Sequence, residues 1–224
     1  DLLYDEQSAR AISGRIKHHE QKLSYVSKTA IHDYIKSVHG RKIESFLKSI
    51  KPKRRHRPKY RGRLDGRTFI DKRPKYIQNR RRIGDAEADF IVSGKTGKGI
   101  LLVLIDRKTR AAHLEQILSI TTRQVYLALR RIQRRFAELK TMTLDNDLLF
   151  QKHKELEKML GIRIFFCEPY HSWQKGQVEN TNKWIRRKIP KGSDISSFSR
   201  SFIYNLEQRL NRRIMECLKF KRPQ

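Results

Sequence analysis

Residues 84–118 read GDAEADFIVSGKTGKGILLVLIDRKTRAAHLEQIL. Three short apolar runs, 89–93, 100–105 and 111–118, are separated by the turn-forming clusters GKTGKG and DRKTR. Short apolar runs bounded by glycine and charge predict strands, here three strands joined as an antiparallel meander. Downstream the pattern alternates. A helix is predicted over 122–139, because Val125, Leu129, Ile132 and Phe136 recur at helical spacing on one face. MTLD (142–145) reads as a strand, 153–160 as a helix, IRIFFC (162–167) as a strand and 177–189 as a helix. A last helical segment, 199–212, carries Phe202, Ile203, Leu206 and Leu210. The order β-β-β-α-β-α-β-α predicts an α+β to α/β fold with a mixed sheet and helices packed on it.

Upstream of residue 84 the composition is different. Ile12 and Ile16 repeat at helical spacing, and Ile31, Tyr34, Ile35 and Val38 form an i, i+3, i+4, i+7 stripe, with Ser27 a candidate N-cap and Gly40 a candidate stop. If that stripe faces inward, Lys28, Thr29, His32, Asp33 and Lys36 lie on the opposite face. A helix-turn-helix needs short polar and basic side chains there to meet base edges. A plain helical hairpin with a solvated face explains the spacing equally well. A further amphipathic piece holds Ile43, Phe46, Leu47 and Ile50. Residues 51–63, KPKRRHRPKYRGR, carry eight Lys or Arg and little to bury. Such a segment cannot offset its ordering entropy, so it is expected to be extended when free. Lys53, Arg54, Arg55, Arg57, Lys59, Arg61 and Arg63 would track phosphates if nucleic acid is the partner. The chain thus divides into 1–50, a basic linker over 51–83, and 84–224.

The whole 224-residue chain has 52 Lys and Arg against 23 Asp and Glu, a formal net charge of +29. A polyanionic partner is expected to neutralise that charge, and nucleic acid is the first candidate. No apolar run approaches the ~18 residues of a membrane span, and no basic amphipathic surface helix stands out. Cys167 and Cys217 give no disulfide framework, which suits a reducing compartment. Cys167, within IRIFFC, reads as a buried small hydrophobe. No His and Cys set has zinc-finger spacing.

Against this charge, three acids take unusual places. Asp89 sits inside a strand, where Asp is depleted. Asp145 closes a strand, where a turn or cap role is the ordinary alternative. Glu179 lies on a helix 34 positions later, where an ion pair with Lys183 is the ordinary alternative. Taken singly each is more easily structural than catalytic. Neighbouring strand ends and an adjoining helix can bring all three to one edge of the sheet, and three such carboxylates repel unless divalent cations lie between them. Mg²⁺ bound there keeps positions open for phosphate oxygen and water, the arrangement of two-metal phosphoryl transfer.

The runs GDAEADFI, VLIDRKTR, TLDND, EPYHSWQKGQVENTN and IPKGSDIS occur in that order. Together with the preceding GRTFIDKRP and the closing LNRRIMECLKFKRP, they resemble the DDE insertion-sequence transposases of the IS-thirty family over most of the chain. The segment from AISGRIKHH to VSKTAIHDYIKSV resembles that family's helix-turn-helix, which tips the reading of residues 1–50 toward DNA binding. The resemblance implies an RNase H-like core in 84–224, with Asp89, Asp145 and Glu179 as metal-binding catalytic triad for two Mg²⁺ ions, Mn²⁺ being able to substitute. It implies cleavage at the inverted-repeat ends of an insertion sequence and transfer of a 3′ hydroxyl into target DNA. A homodimer or larger assembly on double-stranded DNA is expected, in the bacterial cytoplasm with the nucleoid, with no membrane and no small-molecule substrate. A further N-terminal DNA-binding region of the family could be absent from this chain.

The competing readings are a catalytically silent DNA-binding repressor or structural protein derived from a transposase, and a nuclease that only hydrolyses. Lys183 and Arg186, one and two turns beyond Glu179, are candidates to hold the cleaved strand, as similar helix positions do in the more distantly similar retroviral integrases. Asn180 and Asn182 are candidates to orient Glu179 or a strand, and Trp173 reads as a packing anchor rather than a base-stacking residue. The sequence departs from the family at three places. Asp147 replaces the usual Gly after the acid-Asn pair, Ala86 replaces an aromatic residue, and Ala88 replaces Gly. The extra carboxylate at 147 is expected to face solvent, and no departure removes a triad acid.

Overall fold

The computed structural model describes residues 2–49, 66–168 and 172–223, the side chains of Ser172 and Trp173 excepted. By compactness the chain divides into residues 1–54 with 208–224, and residues 55–207. Residues 208–224 thus count with the N-terminal unit, not with the sheet that precedes them in sequence.

In the larger unit the meander is present as β1 (Asp85–Val92), β2 (Ile100–Asp106) and β3 (Ala112–Ile117). The chain continues through α5 (Thr122–Arg135), β4 (Thr141–Leu144), α6 (His153–Leu160), β5 (Arg163–Phe166), α7 (Gly176–Ile185) and the first part of α8 (Arg200–Asn211). One short helix, α4 (Lys75–Gln78), lies in the basic stretch before β1 and is not signalled by apolar periodicity. The sheet has the order β3-β2-β1-β4-β5; β1, β2 and β3 pair antiparallel, while β4 runs parallel to β1 and β5 parallel to β4. This is the mixed RNase H-like sheet that the family resemblance implied.

The strand alternation sorts β1 between two faces. Ala86 and Ala88 join Leu102, Leu104, Met142, Leu144, Ile164 and Phe166 in a core closed by Val125, Leu129, Ile132 and Phe136 of α5 and its C-cap. All four residues expected on the inner face of that helix are buried. Burying such side chains stabilises by about 1.5–3 kcal/mol each, so this layer fixes the sheet. The other face of β1 presents Asp85, Glu87, Asp89 and Ile91 toward α7, which buries Val178, Thr181 and Ile185. Gly84 starts β1 at φ +97°, and a Cβ there would stand 1.8 Å from the Glu138 carbonyl oxygen. That approach lets Gly84 accept from the N–H groups of Lys140 and Thr141, which sets the register between β1 and β4.

The smaller unit is built on α1 (Ala9–His19), α2 (Lys28–Lys36) and α3 (Arg41–Ser49). Ser8 and Ser27 cap the first two helices, accepting from the N–H groups of Ala11 and Ala30 at 3.1 Å. Ile12, Ile31 and Ile35 form its core with Ala9. The expected stripe on α2 is narrower than its spacing implied: Tyr34 and Val38 are 52% and 70% exposed, and the helix stops at Lys36, capped by Ser37, before Gly40 is reached. The C-terminal residues complete this unit. Ile214 donates its N–H to Gln7, Arg209 donates to the Tyr4 carbonyl, and Phe220 stacks on His18 with ring centres 5.4 Å apart. A Cβ at Gly14 would fall 2.1 Å from the Phe220 ring, so that contact requires glycine.

Candidate active site

The site follows from strand register. β4 pairs parallel with β1 as Asp85 with Thr141, Ala86 with Met142 and Glu87 with Thr143. Continued two residues further, the same offset sets Asp89 beside Asp145, the residue after β4 ends. Register partners on parallel neighbours share a face and sit about 4.8 Å apart. Two acids 56 residues apart in sequence therefore become lateral neighbours.

A single ammonium joins them. Lys175 Nζ lies 3.2 Å from Asp89 Oδ1 and 3.2 Å from Asp145 Oδ2, and its side chain is 6% exposed. Asn182 Nδ2 donates to the other Asp89 oxygen at 2.8 Å. Lys175 and Asn182 are seven residues apart across the start of α7, and Glu179 stands between them at i+4 from the lysine and i−3 from the asparagine. Since residues at such spacing lie one above another, Glu179 belongs to the row that faces Asp89. Its side chain makes no ion pair among the described residues, so the alternative pairing with Lys183 is not formed. Burial pushes the Asp89 carboxyl above its ordinary range against the pull of Lys175, and nearby Asp145 adds to that rise. Burial works to lower the Lys175 ammonium, but Asp89 and Asp145 outweigh it and the net shift is upward.

Behind this row lies a layer of polar residues that fall within the runs quoted for the family resemblance, though no apolar period or spacing marks them as buried. Glu87, 2% exposed, accepts the Val178 N–H in the first turn of α7 and pairs with buried Arg107 at 3.7 Å. Arg73, also buried, donates to Thr143 Oγ1 at 3.1 Å; burial, with Arg107 nearby, lowers it to about 10. Arg67 reaches the turn after β4, donating to Asn146 Oδ1 and to the Asp147 carbonyl, and lies over the Phe166 ring at 4.2 Å. Asn146 Nδ2 in turn donates to the Cys167 carbonyl at 2.8 Å. Cys167 is buried as expected, and burial pushes its thiol up to about 12.

Asp147 does not simply face solvent. Its Oδ1 accepts the Leu149 N–H at 2.8 Å and caps the short 3₁₀ turn Leu148–Phe150, and burial raises its carboxyl. A short acid directly before a turn competes well for a free N–H, which is why the side chain bends back. Of the candidate DNA contacts, Lys28, Thr29, His32 and Lys36 are placed on α2, where Ile31 and Ile35 are the buried residues, and Lys183 is on α7 beyond Glu179. Arg186 is committed in part to backbone, donating to the carbonyls of Val92 and Pro190 at 3.3 Å. Lys53, Arg54, Arg55, Arg57, Lys59, Arg61 and Arg63 lie outside the described residues, as does the Trp173 side chain.

Among the described residues no three His, Cys, Asp or Glu side chains stand together in a metal-holding arrangement. The donor set nevertheless suits a hard divalent cation. Two carboxylates converge on one cationic point, a third lies on the adjoining helix row, and Asn182 Oδ1 is a buried acceptor without a hydrogen-bond partner.

No protein-family model matches the chain. It is 38% identical over 167 residues to the transposase for insertion sequence element IS4351 of Bacteroides fragilis, covering 73% of this chain and 50% of that protein. It is 30% identical over 199 residues to the IS1086 transposase of Cupriavidus metallidurans, covering 87% and 58%, and 31% identical over 209 residues to transposase InsI of IS30A from Escherichia coli, covering 90% and 52%. The chain therefore spans about half the length of the curated relatives it matches. Among solved structures, the catalytic core of BIV integrase aligns at TM-score 0.44 and 18% identity, covering 58% of this chain and 84% of that one. The HTLV-2 integrase catalytic core in complex with magnesium aligns at TM-score 0.46 and 17% identity, covering 62% and 92%. Over most of its length the chain is thus similar in sequence to IS30-type insertion-sequence transposases.

Proposed function

We propose that the chain carries the metal-dependent catalytic centre of a DNA transposase, cutting at the inverted-repeat ends of its insertion sequence and joining the 3′ hydroxyl to target DNA. The observation that carries this reading is the convergence of Asp89 on β1 and Asp145, the residue just past the end of the parallel strand β4, upon one cation at 3.2 Å. Asp89, Asp145 and Glu179 would hold two Mg²⁺ ions, with Mn²⁺ able to substitute. Such ions supply activation of the attacking oxygen and stabilisation of the leaving one.

The protein's own groups then have separable tasks. Asn182 fixes the rotamer of Asp89 through its 2.8 Å hydrogen bond. Lys183, one turn past Glu179, meets phosphate or base of the cleaved strand. The row Lys28, Thr29, His32 and Lys36 on α2 enters a major groove, and the basic segment 51–63 follows the backbone. A net charge of +29 supplies the general attraction to DNA. Ends must be paired for joining, so the working form is a homodimer or larger assembly on DNA. The setting is the bacterial cytoplasm and nucleoid; no described helix is long and apolar enough to cross a membrane.

The test is to incubate the protein with Mg²⁺ and labelled DNA bearing the terminal repeats found beside its coding region. Joined products are expected. Asp145→Asn and Glu179→Gln are expected to abolish them while retaining end binding. Hydrolysis without joining, or binding without chemistry in the wild-type protein, would replace this reading by a nuclease or a silent DNA-binding protein respectively.

A further inference from the structure

Lys175 occupies the point at which both aspartates aim. Its ammonium is within 3.2 Å of an oxygen from each, its side chain is 6% exposed, and no other cationic side chain is paired with Asp89 or Asp145 among the described residues. It is also placed to leave. Lys175 is the last residue of the 3₁₀ turn Ser172–Lys175 and the N-cap residue of α7, at the junction of the two, and its four-carbon stem is flexible. It is followed by Gly176, where an added Cβ would meet nothing within 4 Å, so the helix start has open space beside it.

We infer that Lys175 is a built-in counter-cation that holds Asp89 and Asp145 together before metal arrives and must withdraw for metal to bind. The inference rests on the metal-dependent reading above. Two register-paired carboxylates without a cation would repel across one strand spacing, and the lysine removes that repulsion in the metal-free protein. A divalent ion takes carboxylate oxygens at about 2.0–2.1 Å, so ion and ammonium would be like charges competing for the same oxygens. Entry of metal is therefore an exchange of cations. The lysine-in state is not competent for metal, and apparent affinity is the intrinsic affinity multiplied by the fraction of molecules in which the lysine has withdrawn. The outcome is a centre that stays assembled while empty and binds metal less tightly than its carboxylates alone would allow.

The test uses the full chain without DNA, titrated with Mn²⁺ while free ion is followed by electron paramagnetic resonance, so no turnover is needed. Lys175→Met is expected to bind Mn²⁺ about tenfold more tightly than wild type, the change expected when a plug occupying about nine-tenths of molecules is removed. Lys175→Arg, which keeps a cation in place, is expected to stay near wild type. Lys183→Met, which removes a charge nearby without emptying the site, is expected to change affinity by less than about twofold. In chelator, Lys175→Met is expected to melt below wild type, and added Mn²⁺ to narrow the gap. Should the methionine variant not fold, Lys175→Gln provides the same comparison. Equal or weaker Mn²⁺ binding by the neutral variants, or tightening of the same size in Lys183→Met, overturns the inference while leaving the metal centre standing. No Mn²⁺ binding by wild type or any variant removes the metal-dependent reading and this inference with it.

Discussion

The Glu87 carboxylate accepts the Val178 N–H at 3.3 Å, fastening the first turn of α7 to β1 two residues before Asp89. The same carboxylate is the buried counter-charge of Arg107, which is 4% exposed. Removing one partner of a buried pair leaves the other charge without compensation, at a cost of about 3–5 kcal/mol. Glu87→Ala is therefore expected to lose stability on that order in urea unfolding. It is also expected to lower end cleavage, because Glu179 and Asn182 ride on the helix it fastens. Glu87→Gln keeps an acceptor for Val178 and should lose less. A loss below about 1 kcal/mol for the alanine variant would show that the pair does not organise the site.

Asp147 is the one acid near the centre that departs from the family pattern, and it caps the turn Leu148–Phe150 through Leu149. Asp147→Asn keeps an acceptor in that position, whereas Asp147→Ala removes it. The alanine variant is expected to lose about 0.5–2 kcal/mol, as is usual when a cap is removed, and the asparagine variant much less. Both should retain cleavage within a few-fold. Loss of cleavage in Asp147→Asn with stability unchanged would instead give the Asp147 charge a part in the chemistry.

What is legible from the residues depends on the range of the interaction that fixes them. The meander, α5, α6 and the two parallel strands are readable because each carries its own apolar period, and Val125, Leu129, Ile132 and Phe136 are buried as that period requires. Asp89 and Asp145 can be nominated as strand-borne acids, but their adjacency is a property of register between β1 and β4, which no local pattern encodes. Lys175 escapes sequence reasoning for a related reason. Its spacing to Glu179 and Asn182 is open to reading as one helix row, yet a lysine before a helix is ordinarily solvated. Only the packing of α7 on β1 turns it inward. Arg67, Arg73 and Arg107 lie in the runs GRTFIDKRP and VLIDRKTR that carry the family resemblance, but no local pattern marks them as buried. Val38 fails the other way, since α2 ends at Lys36 before the apolar stripe does, while Tyr34 is exposed although it lies within the helix.

His113 packs against Phe136 with ring centres 4.8 Å apart, and burial, helped by Arg135, lowers its pKa from 6.5 to about 4. A histidine depressed in the folded state is protonated first in the unfolded chain. Its contribution is therefore present above about pH 6.5 and is lost as pH falls toward about 4. The upward shifts of Asp89 and Glu207, both led by burial, act in the opposite sense in acid, so the comparison must be between variants. Relative to His113→Gln, wild type is expected to lose up to about 3 kcal/mol more on going from pH 7 to pH 4, because each tenfold difference in proton affinity between folded and unfolded chain is worth roughly 1.4 kcal/mol. Parallel stability profiles for the two proteins over that range would contradict the burial argument.

The α2 surface yields the most direct separation of fold from DNA contact. Ile31 and Ile35 are buried and hold the helix, while Lys28 and Lys36 are not among its buried residues. Removing one phosphate contact should flatten the dependence of log affinity on log salt by about 0.9. The double variant Lys28→Ala with Lys36→Ala is thus expected to shallow the slope by about 1.8 for DNA carrying the terminal repeats, measured by fluorescence anisotropy across a salt series, with helix content unchanged. His32→Ala, which removes a candidate base contact, should narrow the preference for repeats over unrelated DNA with little change in slope. An unaltered slope in the double variant would mean that α2 does not lie on phosphate, and that segment 51–63 or the face of α7 carries the electrostatic contact instead.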